Sequence, residues 1–308
     1  MKSFGNEKYL ILKLLFNFTF IIILLMCKPT SIEPIQSNLK LDKCYLSPDN
    51  SNLKIMHLIL TRYLIERKNW KEFLDKIYQK EYIINGIRVI KKYLLPSLEN
   101  QSCKNFKFII ILGDKANITL VKSLLNINTS LFETKIIYQK NIKSFIKNIS
   151  NGFDILITTR IDYDDRIYYD AVNDVRKAIN VNKPMILYGY NKGVHYYEFD
   201  NKYYDFSIDF KDQGCMSIFV SLIIVLNKIN DTYNIYDLGI HPKIRSNLLN
   251  SYNKFGIKRL YYEPAIFDSG TAKFVWVRHN YSGQYKFSEV IKNRLKEYNF
   301  NLSKFYGK

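Results

Sequence analysis

From residue 53 onward the chain alternates short, dense apolar runs with stretches whose apolar residues recur every three or four positions. The dense runs predict buried strands at 54–60, 106–112, 135–138 and 155–159. β-Branched and aromatic residues crowd there into windows too short for a buried helix. The spaced stripes predict helices at 70–78, where Trp70, Phe73, Leu74 and Ile77 share a face, and at 83–95, 119–125 and 142–149. Pro96 is expected to stop the second of these. Strand and helix alternate as far as residue 159, which argues for a mostly parallel sheet with right-handed crossovers.

Past that point the pattern changes. A helix-like stretch at 167–179 is followed by a strand at 184–190. Tyrosine-rich segments at 194–199 and 203–210 alternate irregularly, which suits a mixed, partly antiparallel sheet. The apolar run 218–226 is too short to cross a membrane and is read as core. Late strands are expected at 258–262 and 273–278, and a closing amphipathic helix at 287–298.

The first thirty residues stand apart. Lys2, Lys8 and Lys13 precede an apolar run, 14–27, that reaches the lower length limit for a span when extended back to Tyr9. Basic residues ahead of the run place the N-terminus in the cytoplasm. Because no small-x-small cleavage site follows, an uncleaved signal anchor is favoured over a secreted product of signal cleavage. Residues 31–52 are polar, contain Pro34 and Pro48, and read as a stem. The expected division is therefore 1–30 cytoplasmic tail and signal anchor, 31–52 stem, and 53–308 one α/β domain.

Composition adds two constraints. The 308 residues are 47% hydrophobic and carry a formal net charge of +18, so a core is affordable and anionic partners are favoured. The lysines are spread along the chain and no nucleic-acid module is visible, so nucleic acid is not expected as a partner. Cys27, Cys44, Cys103 and Cys215 show no zinc spacing. In an oxidising compartment two of the last three can pair, or all can stay as buried thiols. No glycine-rich phosphate loop opens any helix, which disfavours a dehydrogenase or an ATPase.

The candidate chemistry lies at 158–167, Thr-Thr-Arg-Ile-Asp-Tyr-Asp-Asp-Arg-Ile. Three carboxylates follow directly on a predicted strand, where ligands bind in open α/β sheets. Asp162 and Asp164 are two residues apart, so a turn can aim both at one hard cation, Mg²⁺ or Mn²⁺. The structural alternative is that Asp164 or Asp165 caps the following helix. Arg160 and Arg166 can add positive charge beside the pair. Asp114 closes the strand at 106–112 on the same predicted edge. It is open to a ligand contact or to bracing a turn.

Residues 158–167 resemble the Thr-Arg-Leu-Asp-x-Asp-Asp-x-Ile signature of the putative rhamnosyltransferase family, whose members resemble GT-A glycosyltransferases. Leu60-Thr61-Arg62-Tyr63 resembles that family's early strand end. Leu95-Pro96-Ser97-Leu98, Gln101 and Phe106 resemble a second segment of it. The resemblance covers roughly residues 54–280 and implies a GT-A-like, Rossmann-like domain. It implies a metal-dependent glycosyltransferase that moves rhamnose or another hexose from a nucleotide sugar to a glycan or lipid acceptor. In that frame Thr61, Arg62, Asp114 and Arg160 are donor-binding candidates. Asp162, Asp164 and His241 are the metal candidates, with His241 alternatively a loop histidine. Asp165 and Asp212 are the catalytic candidates. For the general base an inverting reaction needs, Asp205, Asp209 and Glu263 stand beside Asp212. A non-catalytic carbohydrate- or nucleotide-binding protein on the same scaffold is the alternative.

Overall fold

A computed structural model describes residues 44, 52–66, 76–127, 130–190, 192–198, 200–207, 219–229, 233–238, 261–262, 273–278 and 297–307. The expected anchor, most of the stem and of the helix at 70–78, and nearly all of the closing helix at 287–298 lie outside these residues. Among the described residues no helix is long and apolar enough to cross a membrane.

The centre is a seven-stranded sheet. In chain order its strands are β1 (Ile55–Tyr63), β2 (Lys107–Leu112), β3 (Glu133–Tyr138), β4 (Ile155–Arg160), β6 (Met185–Gly189), β9 (Val220–Val225) and β10 (Tyr261–Tyr262). In space they run β10-β6-β9-β4-β1-β2-β3. β3, β2, β1 and β4 are mutually parallel, and β9 alone opposes its neighbours β4 and β6. The expected mostly parallel sheet is present, with four of its strands where the dense apolar runs put them. The run read as core is β9. It sits between β4 and β6, and all six of its residues are buried.

Helices cover both faces. On one, α1 (Lys80–Val89), α3 (Ile118–Leu125) and α5 (Ala171–Lys177) pack Ile83, Ile87, Val121, Leu125, Val172 and Val175 against Ile55, Ile59 and Tyr63. On the other, α4 (Ile142–Ile149) and a 3-10 turn, Ile235–Leu238, pack Ile146, Ile235 and Leu238 against Met56, Leu58 and Leu60. Odd- and even-numbered residues of β1 thus face opposite layers, as the period of two requires. Tyr63 turns its ring under α1 and donates to the Ile83 carbonyl at 2.7 Å. Only glycine fits at position 86, because a Cβ there would collide with that ring.

A four-stranded second sheet, in the order β5-β11-β7-β8, joins β5 (Arg166–Ile167), β11 (Phe274–Arg278), β7 (Lys192–Tyr197) and β8 (Lys202–Ser207). β11 runs parallel to β7, and its other partner and the β7–β8 hairpin are antiparallel, so the sheet is mixed as expected. Its core joins Val194, Val275 and Val277 to Tyr93, Tyr196 and Phe305, the last from a short α6 (Leu302–Phe305).

Three local expectations are corrected. The helix does not stop at Pro96. A π-helical turn, Ile90–Leu94, follows α1, and Pro96 lies in the first turn of the next helix, α2 (Leu95–Glu99). The backbone stays helical throughout, and the missing N–H falls in the turn where the wider π pattern gives way to the α pattern. The segment 167–179 is not one helix either. Arg166 and Ile167 pair with β11 more than one hundred residues away, and the helix begins only at Ala171. Finally, Glu297 bridges Tyr204 instead of ending a helix. Of the possible cysteine pairings, Cys44–Cys103 is formed, tying the stem to the segment after α2.

Gln101 is the clamp between that segment and the second sheet. Its amide nitrogen donates to the Ser97 and Tyr168 carbonyls at 2.9 and 2.8 Å, and its amide oxygen accepts from the Val172 N–H at 3.1 Å. We expect Gln101→Ala to lower stability by about 2–4 kcal/mol, because three hydrogen bonds are lost inside a buried site. Denaturant unfolding measures it.

His57 is buried in β1 and shares a 2.8 Å hydrogen bond with Thr159 Oγ1, which in turn bonds Ser221 Oγ at 2.7 Å. Burial, and then the Arg176 guanidinium, hold its pKa well below the ordinary 6.5. The unfolded chain binds a proton there below about pH 6.5 and the folded chain does not. The stability this position contributes is complete above that pH and is lost as pH falls toward the depressed folded value. His57→Gln should flatten the decline in melting temperature between pH 6.5 and 5, read by thermal melts across that range.

Candidate functional site

The parallel strands β1 and β4 pair in register, with Leu60 opposite Arg160. Both therefore end at one edge of the sheet, and the acidic segment leaves from that edge. The Ile161 N–H extends the ladder by one bond to the Leu60 carbonyl, at 3.1 Å, and the Asp165 N–H then closes a turn onto the Asp162 carbonyl at 3.2 Å.

Within this turn, alternate residues have different surroundings. Tyr163 packs inward against Tyr63, with ring centroids 5.3 Å apart, and burial followed by the charge of Asp164 pushes its phenol well above 10. Asp165 is fully buried, and its Oδ1 accepts from the Val277 N–H of β11 at 3.1 Å. Asp162 precedes the first of these anchors and Asp164 lies between them, both partly exposed to solvent. The capping alternative for Asp164 and Asp165 does not hold, since the next helix starts six residues after Asp165 and Asp170 occupies its N-cap position.

The arginines of the two strands come together on the opposite side of the sheet from α1. Arg160 is only 2% exposed, and its Nη2 lies 3.6 Å from Asp162 Oδ1. Arg62 and Arg160 both lie over the ring of Tyr236, with guanidinium carbons 4.2 and 5.2 Å from its centroid. Tyr236 donates to the Leu60 carbonyl at 3.2 Å. Burial pushes its phenol up to about 12, against the lowering effect of the two guanidiniums, so the ring stays neutral at ordinary pH. The cluster thus holds two guanidiniums, the Asp162 carboxylate and one aromatic ring at the carboxyl edge of two adjacent parallel strands, with Asp164 two residues farther along the turn.

The other expected site residues are placed differently. Thr61 is fully buried on the α1 side, facing away from Arg62, and its hydroxyl has no hydrogen-bond partner among the described residues. It does not reach the cluster, because neighbouring residues of a strand point to opposite faces. Asp114 ends β2 on the shared edge, is exposed, and accepts from the Lys140 N–H at 3.2 Å, which braces a turn. Arg166 is buried over the rings of Tyr93 and Tyr196 at 4.7 and 5.6 Å, inside the second sheet's core. Asp205 lies on β8, three strand positions from β5, roughly 14 Å at the usual spacing. Asp209, Asp212, His241 and Glu263 lie outside the described residues. Tyr236 carries no local signal that would have distinguished it among 25 tyrosines.

A family model described as "Putative rhamnosyl transferase" matches residues 59–247. No curated protein matches the chain. Similar solved structures include S. aureus TarS, residues 1–349, in complex with UDP, at 13% identity and a TM-score of 0.37. The alignment covers 77% of this chain and 63% of that one, so the chain spans less than two thirds of TarS 1–349. A putative nucleotide-diphospho-sugar transferase from Desulfovibrio desulfuricans is 12% identical over 77% of this chain and 95% of that chain, with a TM-score of 0.35. The inositol-1-phosphate CTP transferase of T. maritima is 11% identical over 79% and 99%, with a TM-score of 0.34.

If Asp165 holds the acidic turn against β11, removing its carboxylate should release the turn. Asp165→Ala is expected to cost about 2–4 kcal/mol, since the Val277 N–H is left without its acceptor inside a buried site. Asp165→Asn keeps an acceptor oxygen and should recover a large part of that loss. Melting curves of the two variants side by side check this.

Proposed function

The chain belongs to the putative rhamnosyl transferase family, a glycosyltransferase family, and on that premise we propose a metal-dependent transfer of a sugar from a nucleotide-sugar donor to a glycan or lipid acceptor. One observation carries the reading. Arg62 and Arg160 share a ring at the carboxyl edge of β1 and β4, and Asp162 and Asp164 leave from the same edge. Ligands of open α/β sheets bind outside such strand ends.

Asp162 and Asp164 are the residues that would hold Mg²⁺ or Mn²⁺. The donor set fits a hard cation: two partly exposed carboxylates on a turn held from below by Tyr163 and Asp165. Among the described residues no group of three or more His, Cys, Asp or Glu side chains gathers to hold an ion alone. Diphosphate oxygens and water would therefore complete the shell, the usual arrangement for Mg²⁺. When bound, the cation supplies Lewis-acid charge for the departing nucleoside diphosphate. Arg62 and Arg160 bring fixed positive charge to the same leaving group, and their positions are set before substrate arrives. The acceptor hydroxyl needs a base, for which Asp212 is our candidate. His241 is our candidate for a further metal ligand. We propose the apolar run near the N-terminus as a signal anchor that keeps the domain at a membrane.

The test is a panel of nucleotide sugars with Mn²⁺, following nucleoside diphosphate release. Asp162→Asn and Asp164→Asn should each lower turnover by at least a hundredfold at unchanged melting temperature, because a neutral amide binds a hard cation poorly. Excess Mn²⁺ should restore part of it. Wild-type turnover and metal dependence in both variants would end the metal-site reading. Absence of any release by the wild-type chain would favour a binding protein on this scaffold.

A further inference from the structure

We propose that Tyr236 is a positioning residue that fixes Arg62 and Arg160 as a paired clamp for the diphosphate of the donor. The inference rests on the donor reading above and adds a residue from outside both strand ends. Three observations carry it. First, the two guanidinium carbons lie 4.2 and 5.2 Å from one ring centroid, so they are no farther apart than the sum of those distances. Two cations with long, flexible side chains are thereby confined to a span that neighbouring phosphates can bridge, and the ring face attracts each of them.

Second, the ring spans the join between the strands that supply the arginines. Its hydroxyl donates to the Leu60 carbonyl of β1 at 3.2 Å, and the Ile235 N–H beside it donates to Thr158 Oγ1 of β4 at 2.9 Å. Third, the turn that carries it is over-determined for a surface turn. Asp237 Oδ2 accepts from both the Asn234 N–H and its side-chain amide, at 2.9 and 2.7 Å. Asn234 Oδ1 accepts from the Tyr236 N–H at 2.9 Å. Asn234 and Ile235 are buried, while Tyr236 is only half-buried. The anchoring thus holds in place a ring that still reaches the outer part of the site. Arg160, which lies over the ring, also reaches Asp162 Oδ1 at 3.6 Å and so links the ring to the acidic turn.

Pre-set charges are what a diphosphate site needs, since ordering two arginines at the moment of binding costs side-chain entropy. Removing the ring should therefore weaken donor binding while leaving the fold in place.

The experiment measures calorimetric binding of UDP, GDP, CDP and dTDP, each with Mn²⁺, to the full chain and its variants. Melting temperature, and kcat and KM for the active nucleotide sugar, are recorded alongside. For the nucleotide that binds wild type, Tyr236→Phe should stay within about threefold, since the ring is kept and only the bond to Leu60 is lost. Tyr236→Leu should bind at least tenfold more weakly, with the loss appearing in KM more than in kcat. In an Arg62→Ala background, Tyr236→Leu should add less than its effect alone, because it acts through the arginines. Unchanged binding in Tyr236→Leu overturns the inference and leaves the donor reading standing. So does a loss confined to kcat and melting temperature at unchanged KM, the signature of a merely structural ring. If wild type binds none of the four nucleotides, the donor reading fails and takes this inference with it.

Discussion

The in-register parallel pairing of β1 with β4 is the constraint on which the rest depends. With Leu60 opposite Arg160, the even-numbered residues of both strands share one face, so Arg62 and Arg160 meet on the side where Tyr236 lies. A slip of one residue would send one arginine into the layer beneath α1 and break the cluster, because side-chain direction alternates at every position. The same pairing brings both strand ends to one edge and lets the acidic turn leave from it. β2 and β9 cover the outer edges of the pair and helices cover both of its faces, so both strands are buried throughout. That is why they read as continuous apolar runs and not as alternating ones.

The polar residues inside this sheet hold the register in place. His57, Thr159 and Ser221 sit on three adjacent strands and form a hydrogen-bonded row across them on one face. On the other face Thr158 accepts from Ile235 and so locates the turn that carries Tyr236. A buried polar group costs free energy unless it finds a partner, so each of these positions penalises any alignment that separates the pair. Thr61, on the same strand, does not follow this logic. Its hydroxyl is buried and meets no partner among the described residues.

What the sequence made legible follows from how local each signal is. β1, β2, β3 and β4 announce themselves through their own residues, and the acidic motif is visible because three aspartates within four positions directly follow one of them. β5 is hidden for the opposite reason. Arg166 and Ile167 become a strand only because β11 reaches them from far along the chain, and in isolation the segment looks helical. Thr61 looked as well placed as Arg62 until the direction of the strand's faces was known. The role of Tyr236 comes wholly from tertiary contacts, and a tyrosine in a chain so rich in them carries no signal of its own. Cysteine pairing belongs to the same class, since spacing alone could not choose Cys103 as the partner of Cys44.

The acidic turn shows how one short motif can be structural and chemical at once. Tyr163 and Asp165 serve the fold, one through ring packing on Tyr63 and the other by accepting from β11. Asp162 and Asp164 alternate with those anchors and are partly exposed. The division gives the three aspartates different places in the fold. The third ties the turn to the second sheet, so the candidate ligands are fixed relative to both sheets rather than to one strand end. The Gln101 clamp works toward the same result from the other side, bonding Tyr168 and Val172 just after β5. Together these contacts hold the segment from Asp162 to Val172 at both ends, which suits a site whose charges must be in place before the ligand arrives.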